Sequence, residues 1–160
     1  MLIVIRGGGD LATGVALRLY RSGMDVVICE TAVPTSIRRT VCFSEAVRLG
    51  EMMVEGVTAR RAVPEEVPAL LAAGIIPVRV DPEGACIPGL RPDAVVDAIL
   101  AKRNLGTSMD MAPIVVAAGP GFTAGVDCHA AVETMRGHYL GRVIYEGSPL
   151  PNTNIPGLIG

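Results

Sequence analysis

The chain has no tryptophan, and aromatic residues make up 3% of its 160 residues. Stacking platforms for bases or sugars are therefore scarce. Lys and Arg are scattered and the net charge is −2, so no basic stretch is dense enough to track a polyphosphate backbone, and nucleic acid is not an expected partner. Long apolar runs are missing too. Residues 114–118 form one of the longest, far short of the ~20 residues of a membrane helix, so no membrane partner is expected. The chain opens without a basic segment or a small-residue cleavage site, which makes a cytoplasmic protein the simplest expectation. Of the four cysteines, Cys29, Cys42, Cys86 and Cys128, no two form a CxxC pair, and a domain of this size needs no disulfide staples. Reduced, partly buried thiols packing as small hydrophobes are expected at Cys29, Cys42 and Cys86.

Half of the sequence is apolar, mostly Val, Ile, Leu and Ala, enough for the core of one ordinary domain. The 19 Gly and 12 Pro are dispersed and read as turns between short elements. Residues 2–6 are an apolar run ending in Gly-Gly-Gly-Asp, the pattern of a buried parallel strand. Leu11, Val15, Ala16, Leu19 and Tyr20 then recur at helical spacing, with Gly23 as a left-handed cap. Residues 25–30 form a second strand, which completes a β–α–β unit. Ser44 is expected to N-cap a short helix through Leu49. Residues 51–54 or 57–59 supply a strand. Pro64 opens a helix whose first turn carries Glu65 and Glu66 and which ends at Gly74. Residues 75–80, 94–100 and 113–118 read as strands, although the spacing of Val95, Val96, Ile99 and Leu100 also fits a helix. Residues 130–135 and 142–146 read as an antiparallel pair.

Strands alternating with helices predict an α/β protein, a Rossmann-like doubly wound, mostly parallel sheet with an antiparallel C-terminal hairpin. Its ligand crevice belongs at the carboxyl ends of the strands. Residues 1–147 form the expected domain, and residues 148–160 an extended tail or linker. An exposed sheet edge near the final hairpin can pair with a second copy, so a homo-oligomer is possible on this pattern.

Gly7, Gly9 and Ala12 fit G-x-G-x-x-G/A between a strand and a helix. Gly7 suits the tight turn, Gly9 the approach of a pyrophosphate, and Ala12 close helix–strand packing. The helix start then points N–H groups at an anion. Glu30 ends the second strand and suits the two hydroxyls of an unphosphorylated ribose. Arg38 and Arg39 can reverse that preference if they fold over the site. Asp10 lies at the helix start, where it can serve as N-cap and oppose a pyrophosphate. Gly7, Gly8, Gly9, Asp10, Ala12, Thr13, Glu30 and Arg38 are thus candidate cofactor-binding residues. The alternative is a tight turn without a ligand.

A second glycine-rich stretch, with Gly119, Gly121 and Gly125, follows a buried strand and belongs at the same rim. Beyond it come Cys128, His129, Glu133, Arg136 and His138. Adjacent residues on a strand face opposite sides, so Cys128 and His129 do not form a direct nucleophile–base pair and no metal site is expected. One of the two is expected to face the ligand as a candidate catalytic residue, the other to pack inward; the alternative is a set of satisfied polar residues along a strand and hairpin. Gly119, Gly121 and Arg136 are further candidate cofactor contacts, Arg136 for a phosphate or carboxylate, with a paired structural arginine as the equal alternative.

The stretches IRGGGDLATGVALRL, ETAVPTSIRRTVCFSEAV, AAGPGFTAGVDCHAAVETMRGHYLGRVIYEG and PNTNIPG resemble the YqeB-type accessory proteins of selenium-dependent molybdenum hydroxylase systems. These are similar in turn to the Rossmann part of XdhC/CoxI-type proteins, which help load or modify the molybdenum cofactor. The resemblance implies a maturation role toward a molybdenum hydroxylase and a nucleotide-type cofactor, with molybdopterin dinucleotide and NAD as candidates. It also implies a small β-rich domain beyond the tail. On this reading Cys128 assists sulfur or selenium transfer by thiolate chemistry. The alternatives are an NAD-dependent oxidoreductase, for which no Tyr-x-x-x-Lys pair is visible, and a nucleotide-binding module without catalysis.

Overall fold

The computed structural model describes residues 1–151, and all structural statements below concern these. The strand β1 (Leu2–Arg6) leads through the glycine loop into α1 (Asp10–Arg21) and on to β2 (Asp25–Glu30). Three short helices follow later: α2 (Ala46–Leu49), α3 (Val67–Ala72) and α4 (Ile87–Leu90). The remaining strands are β3 (Glu51–Val54), β4 (Val57–Arg61), β5 (Ile76–Val80), β6 (Ala94–Asp97), β7 (Ile114–Ala118), β8 (Ala130–Val132) and β9 (Val143–Ile144). They form one nine-stranded sheet in the order β3-β4-β5-β2-β1-β6-β7-β8-β9. The β3–β4 and β8–β9 pairs are antiparallel, and the rest are parallel. The protein is therefore a mixed α/β fold with the expected C-terminal hairpin. No helix is long and apolar enough to cross a membrane.

Side chains alternate across each strand, and this divides the core between the two faces of the sheet. Ile3 and Ile5 pack with Ala12, Ala16 and Leu17 of α1 and with Ala46 and Val47 of α2. Val4 points the other way, into a cluster with Val67 and Leu70 of α3, Ile87 of α4, Phe122 and Cys128.

Several local expectations are corrected. Ser44 is not an N-cap: residues Phe43–Glu45 form a 3₁₀ turn, and Ser44 instead donates its N–H to the Gly8 carbonyl at 2.8 Å. Both 51–54 and 57–61 are strands, joined by a two-residue turn in which Glu55 and Gly56 have φ of 48° and 78°, the turn that matches strand twist. The helix after Pro64 begins as a 3₁₀ turn. β6 stops at Asp97, because the chain turns away through Leu100 and Lys102, both with positive φ. The first residues of the expected tail turn back onto the body: the Leu150 N–H donates to Glu133 Oε2 at 2.8 Å. Residues 152–160, with the rest of that tail and most of the PNTNIPG motif, lie outside the described residues.

Candidate functional site

β1 and its parallel neighbours β2 and β6 end at one rim. A cavity of about 550 Å³ opens there, walled by residues 7–12, by Glu30 and Thr31 after β2, by Val33 and the 35–38 segment, and by residues 98–100 after β6.

The glycines of the first loop have distinct causes. Gly7 has φ +96°, and a Cβ on it would stand 2.9 Å from the Ala98 carbonyl oxygen. On Gly8 a Cβ would stand 3.0 Å from the Ser44 backbone nitrogen. Both are dictated by the fold. Gly9 is different: its φ of −66° suits any residue, and the nearest atom to a Cβ there is Ser36 Oγ at 3.7 Å. Neither backbone nor packing demands glycine at this position, whose surroundings are the cavity.

Hydrogen bonds divide the loop in the same way. The Gly7 N–H donates to the Cys29 carbonyl at 2.8 Å, and the Gly8 N–H to Glu30 Oε2 at 2.8 Å. Thr13 donates its N–H to the Gly9 carbonyl at 2.8 Å. The N–H groups of Gly9, Asp10, Leu11 and Ala12 have no acceptor within the described residues. This is the usual complement of open donors at a helix N-terminus, here on residues that line a cavity. Gly9, not Asp10, occupies the N-cap position, and no side chain caps it. Asp10 begins the helix and pairs with Arg38 across the cavity wall, so its charge is balanced.

Glu30 is engaged more than its ribose role anticipates. Oε2 holds the Gly8 N–H and Oε1 accepts from the Thr31 N–H at 2.7 Å. Each oxygen keeps a further lone pair. Thr13 is buried and does not line the cavity. Its hydroxyl donates to the Gly8 carbonyl at 3.2 Å and accepts from the Phe43 N–H at 2.9 Å, tying the loop to the 43–45 turn. Arg39 points elsewhere, to Glu45 at 2.7 Å. Its hydrogen bond holds the Glu45 carboxyl below the ordinary range.

The second constellation is built otherwise. A Cβ on Gly121 would stand 2.5 Å from the Arg103 backbone, and one on Gly119 would stand 2.9 Å from Thr134 Oγ1. These glycines let the chain approach itself. Cys128 is fully buried, in the cluster with Val115 and Phe122, and burial pushes its thiol pKa up. His129 donates its N–H to the Val115 carbonyl at 2.8 Å and accepts the Val115 N–H on Nδ1 at 3.0 Å. Glu133 is buried and receives the N–H groups of Met135 and Leu150. Arg136 is exposed. None of Gly119, Gly121, Cys128, His129 and Arg136 lines the cavity beside the first loop.

Sequence reading missed the floor of this rim. Arg6 and Asp97 are register partners on β1 and β6, each 1% exposed and 3.6 Å apart. The Thr107 hydroxyl accepts from Arg6 and donates to Asp97 at 2.6 Å. Arg6 also donates to the carbonyls of Pro82 and Leu105. A charged residue closing each of two otherwise apolar strands was the available signal.

No family model matches the chain, and no solved structure matches it. Over 159 residues it is 58% identical to the uncharacterized protein YqeB of Escherichia coli (strain K12), a match that takes in 99% of this chain and 29% of that protein. The chain thus spans under a third of the length of this curated relative.

Proposed function

We propose that the chain is a Rossmann-like module that binds a pyrophosphate-bearing nucleotide cofactor of the NAD or molybdopterin dinucleotide class. We further propose that it acts as an accessory protein in the maturation of a molybdenum hydroxylase, including a selenium-dependent one. The observation that carries the binding reading is the set of four open N–H groups, on Gly9, Asp10, Leu11 and Ala12, lining a cavity of about 550 Å³. That volume lies within the ~300–1,000 Å³ of small-molecule sites.

Three features support it. The strands β5-β2-β1-β6-β7-β8 run in the 3-2-1-4-5-6 order of doubly wound dinucleotide folds, and the cavity lies at the point where that order reverses. Gly9 lacks a Cβ in a place where only a ligand needs the room. Val33 and Ile37, 73% and 95% exposed, stand at the mouth; a nucleobase packing on them would bury apolar surface without an aromatic platform.

In this reading the pyrophosphate lies on the helix-start N–H groups. Glu30 accepts the ribose hydroxyls with its remaining lone pairs, and Arg38 neutralises Asp10 beside the anion. The charged residues lining the cavity, Asp10, Glu30 and Arg38, are all bonded to the chain itself. That favours a binding role over acid–base chemistry on a substrate. A molybdenum-bearing pterin brings its own redox chemistry, and the chain's residues hold and orient it. The maturation role rests on the motif resemblance.

Calorimetric titration of the purified chain with NAD, FAD, AMP and ADP-ribose, with assay for retained pterin fluorescence and molybdenum, tests the binding. Saturable binding of at least one dinucleotide, or retained pterin, is expected. Flat titrations with no retained pterin would end the proposal. The accessory role is tested separately, by hydroxylase activity in cells lacking the protein, which the reading requires to fall.

A further inference from the structure

Beside the glycine loop lies a second cavity of about 320 Å³, which shares Gly7, Glu30, Thr31 and Ile99 with the first and reaches Cys29. Cys29 is one residue from the end of β2 and Asp81 directly follows β5. The two strands are parallel neighbours, and the Asp81 N–H donates to the Glu30 carbonyl at 2.9 Å. The chain then turns back so that Cys86, before α4, meets them.

We infer that Cys29, Cys86 and Asp81 form a binding site for a thiophilic divalent cation of the zinc type. The two sulfurs are 3.5 Å apart, and one donor atom from each residue lies within 4.8 Å of the others. Two sulfurs each ~2.3 Å from a tetrahedral zinc ion stand about 3.8 Å apart. The pair is thus within a few tenths of an ångström of ligating distance.

The carboxylate is already oriented. Asp81 Oδ1 accepts from the Ala85 N–H at 2.9 Å and Oδ2 from the Cys86 N–H at 2.8 Å. Each oxygen keeps a lone pair, and ligating carboxylates are commonly held in this way. Burial pushes the Asp81 carboxyl up, but these hydrogen bonds and Arg79 outweigh it and leave the group below its ordinary range. The hydrogen bond with Cys86, then burial, push the Cys29 thiol up.

A divalent ion changes this balance. It displaces one proton from each thiol to solvent and binds two thiolates and a carboxylate. The resulting unit carries one negative charge; Arg6, whose charge is shared with Asp97, stands in register with Cys29 on β1. Arg6 is buried, and its Nε is a donor without an acceptor. Three protein ligands leave a fourth position, the arrangement of catalytic rather than structural zinc sites. Of the three ligands Cys29 lines the 320 Å³ cavity, and water can fill the fourth position.

The test is titration of the reduced, metal-free chain with Co²⁺, followed by displacement with Zn²⁺. One Co²⁺ per chain is expected, with thiolate-to-cobalt charge-transfer absorption that Zn²⁺ bleaches and about two protons released per ion. Cys86→Ser should weaken binding on the order of 100-fold and Asp81→Asn about 10-fold. Cys42→Ser should leave it unchanged. Cys86 is part-exposed, so its variant should keep the far-UV circular dichroism of the parent and remains informative if Cys29→Ser fails to fold. Absence of charge-transfer absorption, or uptake indifferent to Cys86→Ser, would overturn the site. So would recovery of a Cys29–Cys86 disulfide that, once reduced, takes up no metal.

Discussion

Two glycine-rich segments follow parallel strands of the same sheet, and Gly9 of the first differs in cause from Gly119 and Gly121 of the second. At Gly119 and Gly121 the missing side chains make room for the protein itself: Gly121 lies against the Arg103 backbone and Gly119 against Thr134, whereas Gly125 is set by its φ of +85° alone. In residues 7–9, Gly7 and Gly8 also serve internal packing, but a Cβ on Gly9 would meet only Ser36 Oγ, at an ordinary 3.7 Å, beside unpaired N–H groups. Glycine after a strand does not by itself mark a ligand. What would touch the absent Cβ decides.

The comparison can be broken by substitution. The largest effect is expected at Gly121→Ala. A φ of +103° and a Cβ 2.5 Å from backbone should cost about 3 kcal/mol or more, read as a fall in the thermal or denaturant midpoint. Nucleotide affinity of the folded protein should not change. Gly9→Leu should do the reverse. It should shift stability by about 1 kcal/mol or less, yet weaken nucleotide binding on the order of 100-fold, about 2.7 kcal/mol; calorimetry with circular dichroism separates the two effects. A Gly9→Leu protein that binds like its parent would remove the distinction between the segments.

Cys128→Ala sharpens the contrast from the other side. Loss of a buried sulfur should cost about 1–2 kcal/mol and leave binding unchanged, since the thiol does not line the cavity. Arg38→Ala should have a smaller effect. Its pair with Asp10 is exposed, so stability should move by about 0–1 kcal/mol, while the uncovered Asp10 charge weakens anion binding several-fold in low salt and less in high salt.

The smallest effect concerns the turn that packs on Gly8. Glu45 is held below its ordinary range by Arg39. A depressed carboxyl contributes stability that is complete above the unfolded Glu pKa and fades as pH falls through the lower folded value. Unfolding midpoints measured below about pH 4.5 should therefore fall less steeply in Arg39→Ala than in the parent.

Much of the fold was legible because its signals are local. The apolar runs of β1, β2, β5 and β7, and the helical spacing of α1, lie in single windows of sequence. The first loop was legible for the same reason, since strand, glycines and helix are contiguous. What escaped depends on contacts between distant segments. Glu30 was expected to serve a ribose, but strand pairing also puts it under the Gly8 N–H. Arg6, Asp97 and Thr107 meet only because β1 and β6 are neighbours, and Cys29, Asp81 and Cys86 only because β2 and β5 are. Cys128, His129 and Arg136 looked like a site because polar residues cluster there in sequence. The sheet buries the thiol, uses the imidazole to bind Val115, and leaves the guanidinium exposed. Ser44 was expected to cap a helix, whereas its backbone is spent on the glycine loop.

The most direct measurement follows amide resonances of the isotopically labelled chain while a dinucleotide such as NAD or ADP-ribose is added. The account predicts that the N–H signals of Gly9, Asp10, Leu11 and Ala12 shift together and saturably, with those of residues 119–125 unmoved. Signals of residues 9–12 that stay in place at saturating ligand, or shifts confined to 119–125, would contradict it.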